Sequence, residues 1–298
     1  MNINLIGAPT FYGADKKGPD LAPNKLRQLG LLSVLNKTHK VYDLGNVYVP
    51  TVSTEDKFSD HSNVKYYNPL MNLNSSIAHL VSLSLKNNYF SLVIGGDHSV
   101  ALGSIAGISS VYKNFGVVWF DAHTDINTYK TSPSGNFHGM PLAYAMGLGD
   151  NGIENIYSHG SPIPSKNVFI IGARDIDSGE REFIKEKDLK VYSPEYIRKR
   201  TIKGIFDEIM ENVKSSGIEA LHISFDLDFL DASLVPGTGT PVGNGFSLED
   251  AKEFFSLFAS TNLVKSMDFV EYNVLLDKNN VTGNLSIDLL DHIFNKLT

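Results

Sequence analysis

The chain has 298 residues, 42% of them hydrophobic, a formal net charge of −7 and no cysteine. That length can bury a large core without disulfide staples, and a cysteine-free chain suits a reducing compartment. The negative balance, with no basic tract to offset it, argues against a nucleic-acid partner.

In chain order, short β-rich runs alternate with longer helical stretches. Strands are expected at residues 3–6, 40–43, 91–94, 116–120, 167–171, 189–192, 220–225 and 264–270. Helices are expected at 23–35, 69–87, 100–112, 180–186, 204–213, 248–258 and 286–296. Several strand runs are Val, Ile, Leu or Phe without alternation, as in strands of a parallel sheet buried on both faces. Ser247 followed by Glu249 and Asp250 marks a helix start. The alternation predicts an α/β fold, a three-layer α/β/α sandwich with right-handed crossovers, in one domain over 1–298. Residues 45–67 are polar and read as an irregular surface excursion. Lys185, Lys187, Lys190, Arg198, Lys199 and Arg200 alternate with acids, as on a solvated helix face. Tyr66, Tyr67 and Tyr129 read as core. No apolar run reaches the roughly 18 residues of a spanning helix. The start, MNINLIGAPT, reads as a strand and not as a leader. A soluble cytoplasmic protein with no membrane partner is therefore expected.

Four acidic and histidine-bearing segments each end a predicted strand: Gly95-Gly96-Asp97-His98, Asp121-Ala122-His123-Thr124-Asp125, Ser224-Phe225-Asp226-Leu227-Asp228, and Glu271. Ligands gather beyond the carboxyl ends of the strands in open α/β sheets. Side chains two apart share a face where the chain stays extended, so Asp121, His123 and Asp125 can converge, as can Asp226 and Asp228. Gly95 and Gly96 allow a tight turn and close backbone approach. Four carboxylates and two imidazoles so crowded repel one another, and two divalent cations relieve that repulsion. Oxygen and imidazole donors without thiolate suit Mn²⁺ ahead of Fe²⁺, Co²⁺ or Zn²⁺. The pattern predicts a two-metal hydrolytic centre, with shared carboxylates holding the ions about 3.5–4 Å apart.

The runs GGDHS (Gly95 to Ser99), DAHTDIN (Asp121 to Asn127), SPSGNFHGMP (Ser132 to Pro141), SFDLDFLD (Ser224 to Asp231), PGTGTP (Pro236 to Pro241) and VEYN (Val270 to Asn273) resemble the signatures of the ureohydrolases, and of the arginases in particular. The likeness runs from Ile6-Gly7-Ala8-Pro9 to the last helix. It implies a mostly parallel eight-stranded sheet and two Mn²⁺ per subunit. One ion would sit on His98, Asp121, Asp125 and Asp226, the other on Asp121, His123, Asp226 and Asp228. It implies His138 as proton shuttle or general acid, Glu271 as the acid that pairs with a guanidinium, and Asp125 as an orienting group besides a ligand. Asn127, Ser132, Ser134, Asn136 and Thr240 would hold the substrate. Asp177 and Glu180 would read an α-amino group, with Asp175 in support, although both also suit helix capping.

The reaction so implied is hydrolysis of L-arginine to L-ornithine and urea, by a metal-bridging hydroxide attacking the guanidinium carbon. The alternative is another guanidino or amidino hydrolase, acting on agmatine, guanidinobutyrate or formiminoglutamate. A catalytically silent relative would have lost a ligand, and none is lost. Relatives form trimers or hexamers, so the resemblance implies a homo-oligomer. Four positions depart from the usual pattern: Ala232 and Val274 where Pro is common, Asn244 in place of one Gly, and Gly283 where Ala is usual.

Overall fold

The structure, a computed structural model, describes residues 1–150, 153–158 and 160–297. Its strands are β1 (Asn2–Ala8), β2 (Lys40–Asn46), β3 (Phe90–Gly95), β4 (Phe115–Phe120), β5 (Val168–Ile171), β6 (Lys190–Tyr192), β7 (Ala220–Asp226) and β8 (Val264–Val270). They form one sheet in the order β2-β1-β3-β8-β7-β4-β5-β6. Every neighbouring pair is parallel, so the sheet is wholly and not mostly parallel.

β3, β4 and β7 are buried along their whole length. Helices cover both faces, and successive side chains feed opposite cores. Phe120 enters a cluster with Phe225, Phe229, Phe254, Phe255 and Phe258. Its neighbour Trp119 enters the other core, with Ile105 and Ala143.

The helix expected over 23–35 is two helices, Ala22–Gln28 and Leu31–Leu35, because Gly30 adopts a left-handed φ of 102° between them. The other expected helices are present as Tyr67–Lys86, Ala101–Ser109, Ser178–Lys187, Ile202–Ser215, Leu248–Ala259 and Val281–Lys296. Ser247 caps its helix by accepting from Asp250 N–H. Pro141–Ala145 and Pro194–Arg200 are additional helices, each opening on proline, whose missing N–H is harmless in a first turn. The stretch 45–67 is largely irregular, but not wholly on the surface. Val64, Tyr66 and Tyr67 are buried, while Tyr129 is half-buried. Among the described residues no helix is long and apolar enough to cross a membrane.

The departures have local reasons. Val274 donates its N–H to Gly18 O at 3.3 Å, a bond proline could not make. Asn244 holds a φ of 61°, a conformation asparagine tolerates better than most residues. A Cβ on Gly283 would lie 2.5 Å from Tyr272 Oη, which instead donates to Asp277. Ala232 keeps an N–H on Val242 O, which proline would also remove.

For the site, the consequential fact is strand order. β3, β8, β7 and β4 are consecutive neighbours. Their carboxyl ends carry the four segments singled out in the sequence. At about 4.8 Å between strands, segments up to 173 residues apart come to lie side by side.

Candidate metal centre

The ligand-bearing segments do not run on as extended chain. Each turns at once, and an aspartate makes the turn. Asp97 Oδ1 accepts from Ser99 N–H at 3.1 Å, Asp121 Oδ1 from His123 N–H at 2.7 Å, and Asp226 Oδ1 from Asp228 N–H at 2.8 Å. A short polar side chain bonding two residues on is what an Asx turn requires. Asp125 follows in the left-handed region, at φ 50°. The convergence expected from alternation therefore arises from turns.

Gly95-Gly96 likewise serves a different end from ligand approach. A Cβ on Gly96 would stand 1.9 Å from Thr10 O. Its N–H donates to Ala8 O at 2.8 Å, and its carbonyl accepts from Glu271 N–H at 2.9 Å. The glycine lets the ends of β1, β3 and β8 be pinned together.

His98 Nδ1 lies 3.0 Å from Asp121 Oδ2, 3.1 Å from Asp125 Oδ2 and 3.2 Å from Asp226 Oδ2. His123 Nδ1 lies 3.3 Å from Asp121 Oδ1 and 3.2 Å from Asp228 Oδ2. Asp121 thus offers one oxygen to each group, and the ligand atoms form two clusters that share it. The protein's own charges balance poorly here. Burial, then repulsion from Asp228 and Asp121, drives Asp226 well above the carboxylate range. Burial and Asp121 push Asp125 up to about 7. Burial also raises Asp228, against the pull of His123. Burial alone would discharge His98 and His123, yet the facing carboxylates hold both well above the usual imidazole value. His98 Nδ1 is buried without an aligned hydrogen-bond partner. A nest of repelling acids around an orphaned imidazole nitrogen is the donor set a divalent cation satisfies, so the residues fit a two-metal centre.

The supporting side chains include several that carried no assignment in the sequence. Trp119 stacks on His98 at 4.1 Å and donates Nε1–H to Asp121 Oδ2 at 3.0 Å. His98 Nε2 meets Ser224 Oγ at 2.8 Å, and Ser224 donates to Asp268 Oδ1 at 2.5 Å. His222 closes the chain, 2.9 Å from Asp268 Oδ2 and 2.8 Å from Ser266 Oγ. Burial would raise Asp268, but His222 outweighs it and keeps the carboxyl below its ordinary value. The signal was present: His222, Ser224 and Asp226 recur every second residue in an apolar strand, as do Ser266 and Asp268. Asp97 Oδ2 accepts from Gly13 and Ala14 N–H at 2.9 and 3.2 Å. The Arg174 guanidinium donates to six carbonyls, those of Gly172, Asp228, Phe229, Leu230, Val242 and Gly243.

Glu271 follows β8 directly, in the left-handed region at φ 65°. Its Oε1 accepts from His98 N–H at 2.8 Å and faces His138 Nδ1 at 3.1 Å, while its buried Oε2 has no partner. Burial opposes both charges, but the pairing prevails. His138 is raised to about 9 and Glu271 is lowered.

A cavity of about 140 Å³ opens over the cluster, lined by His123, Asp125, Asp226 and His138 together with Asn127, Ser132, Ser134, Asn136, Asp177, Glu180 and Thr240. All seven residues expected to hold substrate therefore reach one cleft, but their bonds distinguish them. Glu180 spends Oε1 on Ile126 N–H and Oε2 on Asp177 N–H, at 3.1 and 2.9 Å. It braces the loop and completes a capping box with Asp177, the N-cap residue of helix Ser178–Lys187. Asp177 is itself held by Asn127 Nδ2 at 2.8 Å. Thr240 donates to Asp228 Oδ2 at 3.0 Å. Ser132 and Ser134 accept from Gly135 and Asn136 N–H at 3.1 Å each, so their own hydroxyl protons stay available. Asp175 is exposed, 3.9 Å from His123 Nε2.

The family model described as the Arginase family matches residues 1–295. An arginase of Staphylococcus aureus is 40% identical over 293 residues, covering 98% of this chain and 96% of its own length. Crystal structures of arginases from Bacillus subtilis and Bacillus caldovelox superpose with TM-scores of 0.92 and 0.91 at 35% and 34% identity. They cover 99% of both chains and 98% of both chains, respectively. A formimidoylglutamase from Bacillus subtilis matches at TM-score 0.79 and 21% identity, covering 99% of this chain and 86% of its own, a likeness of fold alone.

Proposed function

The chain belongs to the arginase family of hydrolases, and from that premise we propose that it converts L-arginine to L-ornithine and urea with two Mn²⁺. The observation that carries the metal reading is Asp121, whose two oxygens each face a different ligand histidine. His98, Asp121, Asp125 and Asp226 would hold one cation, and Asp121, His123, Asp226 and Asp228 the other. When bound, the pair supplies a water that ionises near neutral pH and positive charge for the reacting centre.

The chain's own groups do the rest. The free Oε2 of Glu271, buried and unpaired, is matched to a guanidinium N–H. His138 pairs with Glu271 through Nδ1, which leaves Nε2 for the substrate. Raised to about 9, it carries a proton at neutral pH. An amine departs readily only when protonated, and His138 is placed to deliver that proton as general acid. Asp125, besides its ligand role, is a second acceptor beside the reacting water.

Substrate length is read at the rim. Asp177 faces the α-amino group, while the Ser132 and Ser134 hydroxyls, with the Asn127 and Asn136 amides, surround the α-carboxylate. Agmatine has no carboxylate and would leave these donors unmatched, a penalty that favours arginine. Cytoplasmic location, a single catalytic domain and homo-oligomeric assembly belong to the same proposal and rest on family membership. The test is product analysis with purified protein, L-arginine and added Mn²⁺, beside a chelator-treated control. Urea and ornithine should appear in equal amounts, and only with metal. Faster turnover of agmatine or formiminoglutamate than of arginine would overturn the reading.

A further inference from the structure

A substrate with an α-carboxylate must enter a cleft rich in acids. Asp125, Asp175, Asp177, Glu180 and Asp226 line it, and no lysine or arginine stands among the lining residues. A group of paired lysines lies behind the rim, in the irregular stretch before helix Tyr67–Lys86. Lys65 Nζ donates to Asn136 Oδ1 at 2.7 Å and lies 2.9 Å from Asp15 Oδ2. Lys57 Nζ lies 3.0 Å from the same Asp15 oxygen. Tyr66 Oη donates to Asp15 Oδ1 at 3.1 Å. Burial would raise Asp15, but Lys65 and Lys57 outweigh it, so the acid stays charged. One carboxylate between two ammonium groups leaves the triad one positive charge in excess. The Lys65 side chain is only 14% exposed, so this charge is screened less than a surface lysine's.

The same residues set the rim's shape. Lys65 N–H donates to Gly135 O at 2.9 Å. Asn136, its Oδ1 held by Lys65, points Nδ2 at Ala14 O at 3.0 Å. That orientation commits the amide oxygen away from substrate and leaves one amide hydrogen free. Lys130, on the same loop, is exposed and sits over the Tyr129 ring.

We infer that Lys65, backed by Lys57 and Asp15, is the specificity-determining cation of this enzyme. It acts through Asn136 to favour substrates bearing an α-carboxylate, without touching them. The inference rests on the arginine reading above. It makes Lys65 a positioning residue whose effect follows the charge of one substrate group.

The experiment compares L-arginine with L-argininamide, which keeps the α-amino group and guanidinium but lacks the negative charge, in wild type and in Lys65→Met, Lys65→Arg and Lys57→Met. Lys65→Met should raise KM for arginine about tenfold, as expected for losing one partly screened charge several ångströms away. It should leave kcat within about twofold and shift argininamide less than about twofold. Lys65→Arg should recover most of the arginine KM. Lys57→Met, which leaves the Asn136 bond in place, should raise it by a smaller factor. Bound-metal content and melting temperature are measured for each variant, and Lys57→Met carries the comparison of the two substrates if Lys65→Met does not fold. Equal losses on both substrates, a fall confined to kcat, or no recovery with arginine would overturn the inference and leave the arginine reading standing. A wild type that does not turn over arginine would end both.

Discussion

Replacing Ser224 with Ala should weaken binding of the cation held by His98 far more than that of its neighbour. In the native chain the Ser224 hydroxyl donates to Asp268 at 2.5 Å, so at 2.8 Å its oxygen accepts from His98 Nε2–H. That fixes the tautomer in which Nδ1 keeps a lone pair for metal. His98, Ser224 and Asp268 are all essentially without solvent contact. The substitution strands an imidazole N–H and a carboxylate oxygen. At about 1–3 kcal/mol for each buried group left unpaired, stability should fall by about 2–6 kcal/mol. Loss of such an outer partner weakens metal binding by about 10–100-fold. Titration of chelator-treated protein with Mn²⁺ in a calorimeter should resolve one weakened and one nearly native site, and urea unfolding should give the stability loss. Ser224→Thr, which keeps the hydroxyl, tests for recovery. Two native affinities in a destabilised Ser224→Ala protein would show that the hydroxyl only braces the fold, and the argument from tautomer would fail.

Three further outcomes follow from the same geometry. His98 and His123 are held above the ordinary imidazole value by their facing carboxylates. They therefore carry protons at neutral pH until a cation displaces them, so Mn²⁺ affinity should rise between about pH 6 and 8, with proton release on binding. Affinity that is flat over that range, in buffers of different ionisation enthalpy, contradicts this. His138→Asn should retain both cations and lower kcat by about 10²–10⁴-fold; elemental analysis showing lost metal would refute the assignment as a proton donor. Arg174→Lys should lower unfolding free energy by about 2 kcal/mol or more, because one ammonium cannot serve carbonyls that a planar fork reaches together. An unchanged urea midpoint would mean those six contacts contribute little.

Legibility varied with the range of the interaction involved. β8 was read to its ends because a run of apolar residues bounded by polar ones is a local property. Periodicity predicts one helix over 23–35, because it does not reveal that Gly30 turns left-handed. Residues 45–67 looked featureless because no periodic pattern marks a segment whose work is done by Val64, Lys65 and Tyr66 against distant loops. Asp177 and Glu180 were read as a pair. Only the hydrogen bonds show that both line the cleft while closing the capping box that starts helix Ser178–Lys187.

The amino-acid order alone determined the chemistry available: six oxygen and nitrogen donors, no thiolate, each at the end of an apolar strand. Strand ends are written locally, in side-chain type and spacing, so they can be read one segment at a time. Tertiary structure alone decided that β3, β8, β7 and β4 are neighbours and that Lys65 reaches Asn136. Those contacts join residues tens to hundreds of positions apart, and packing selects them from among many that local preference would equally allow.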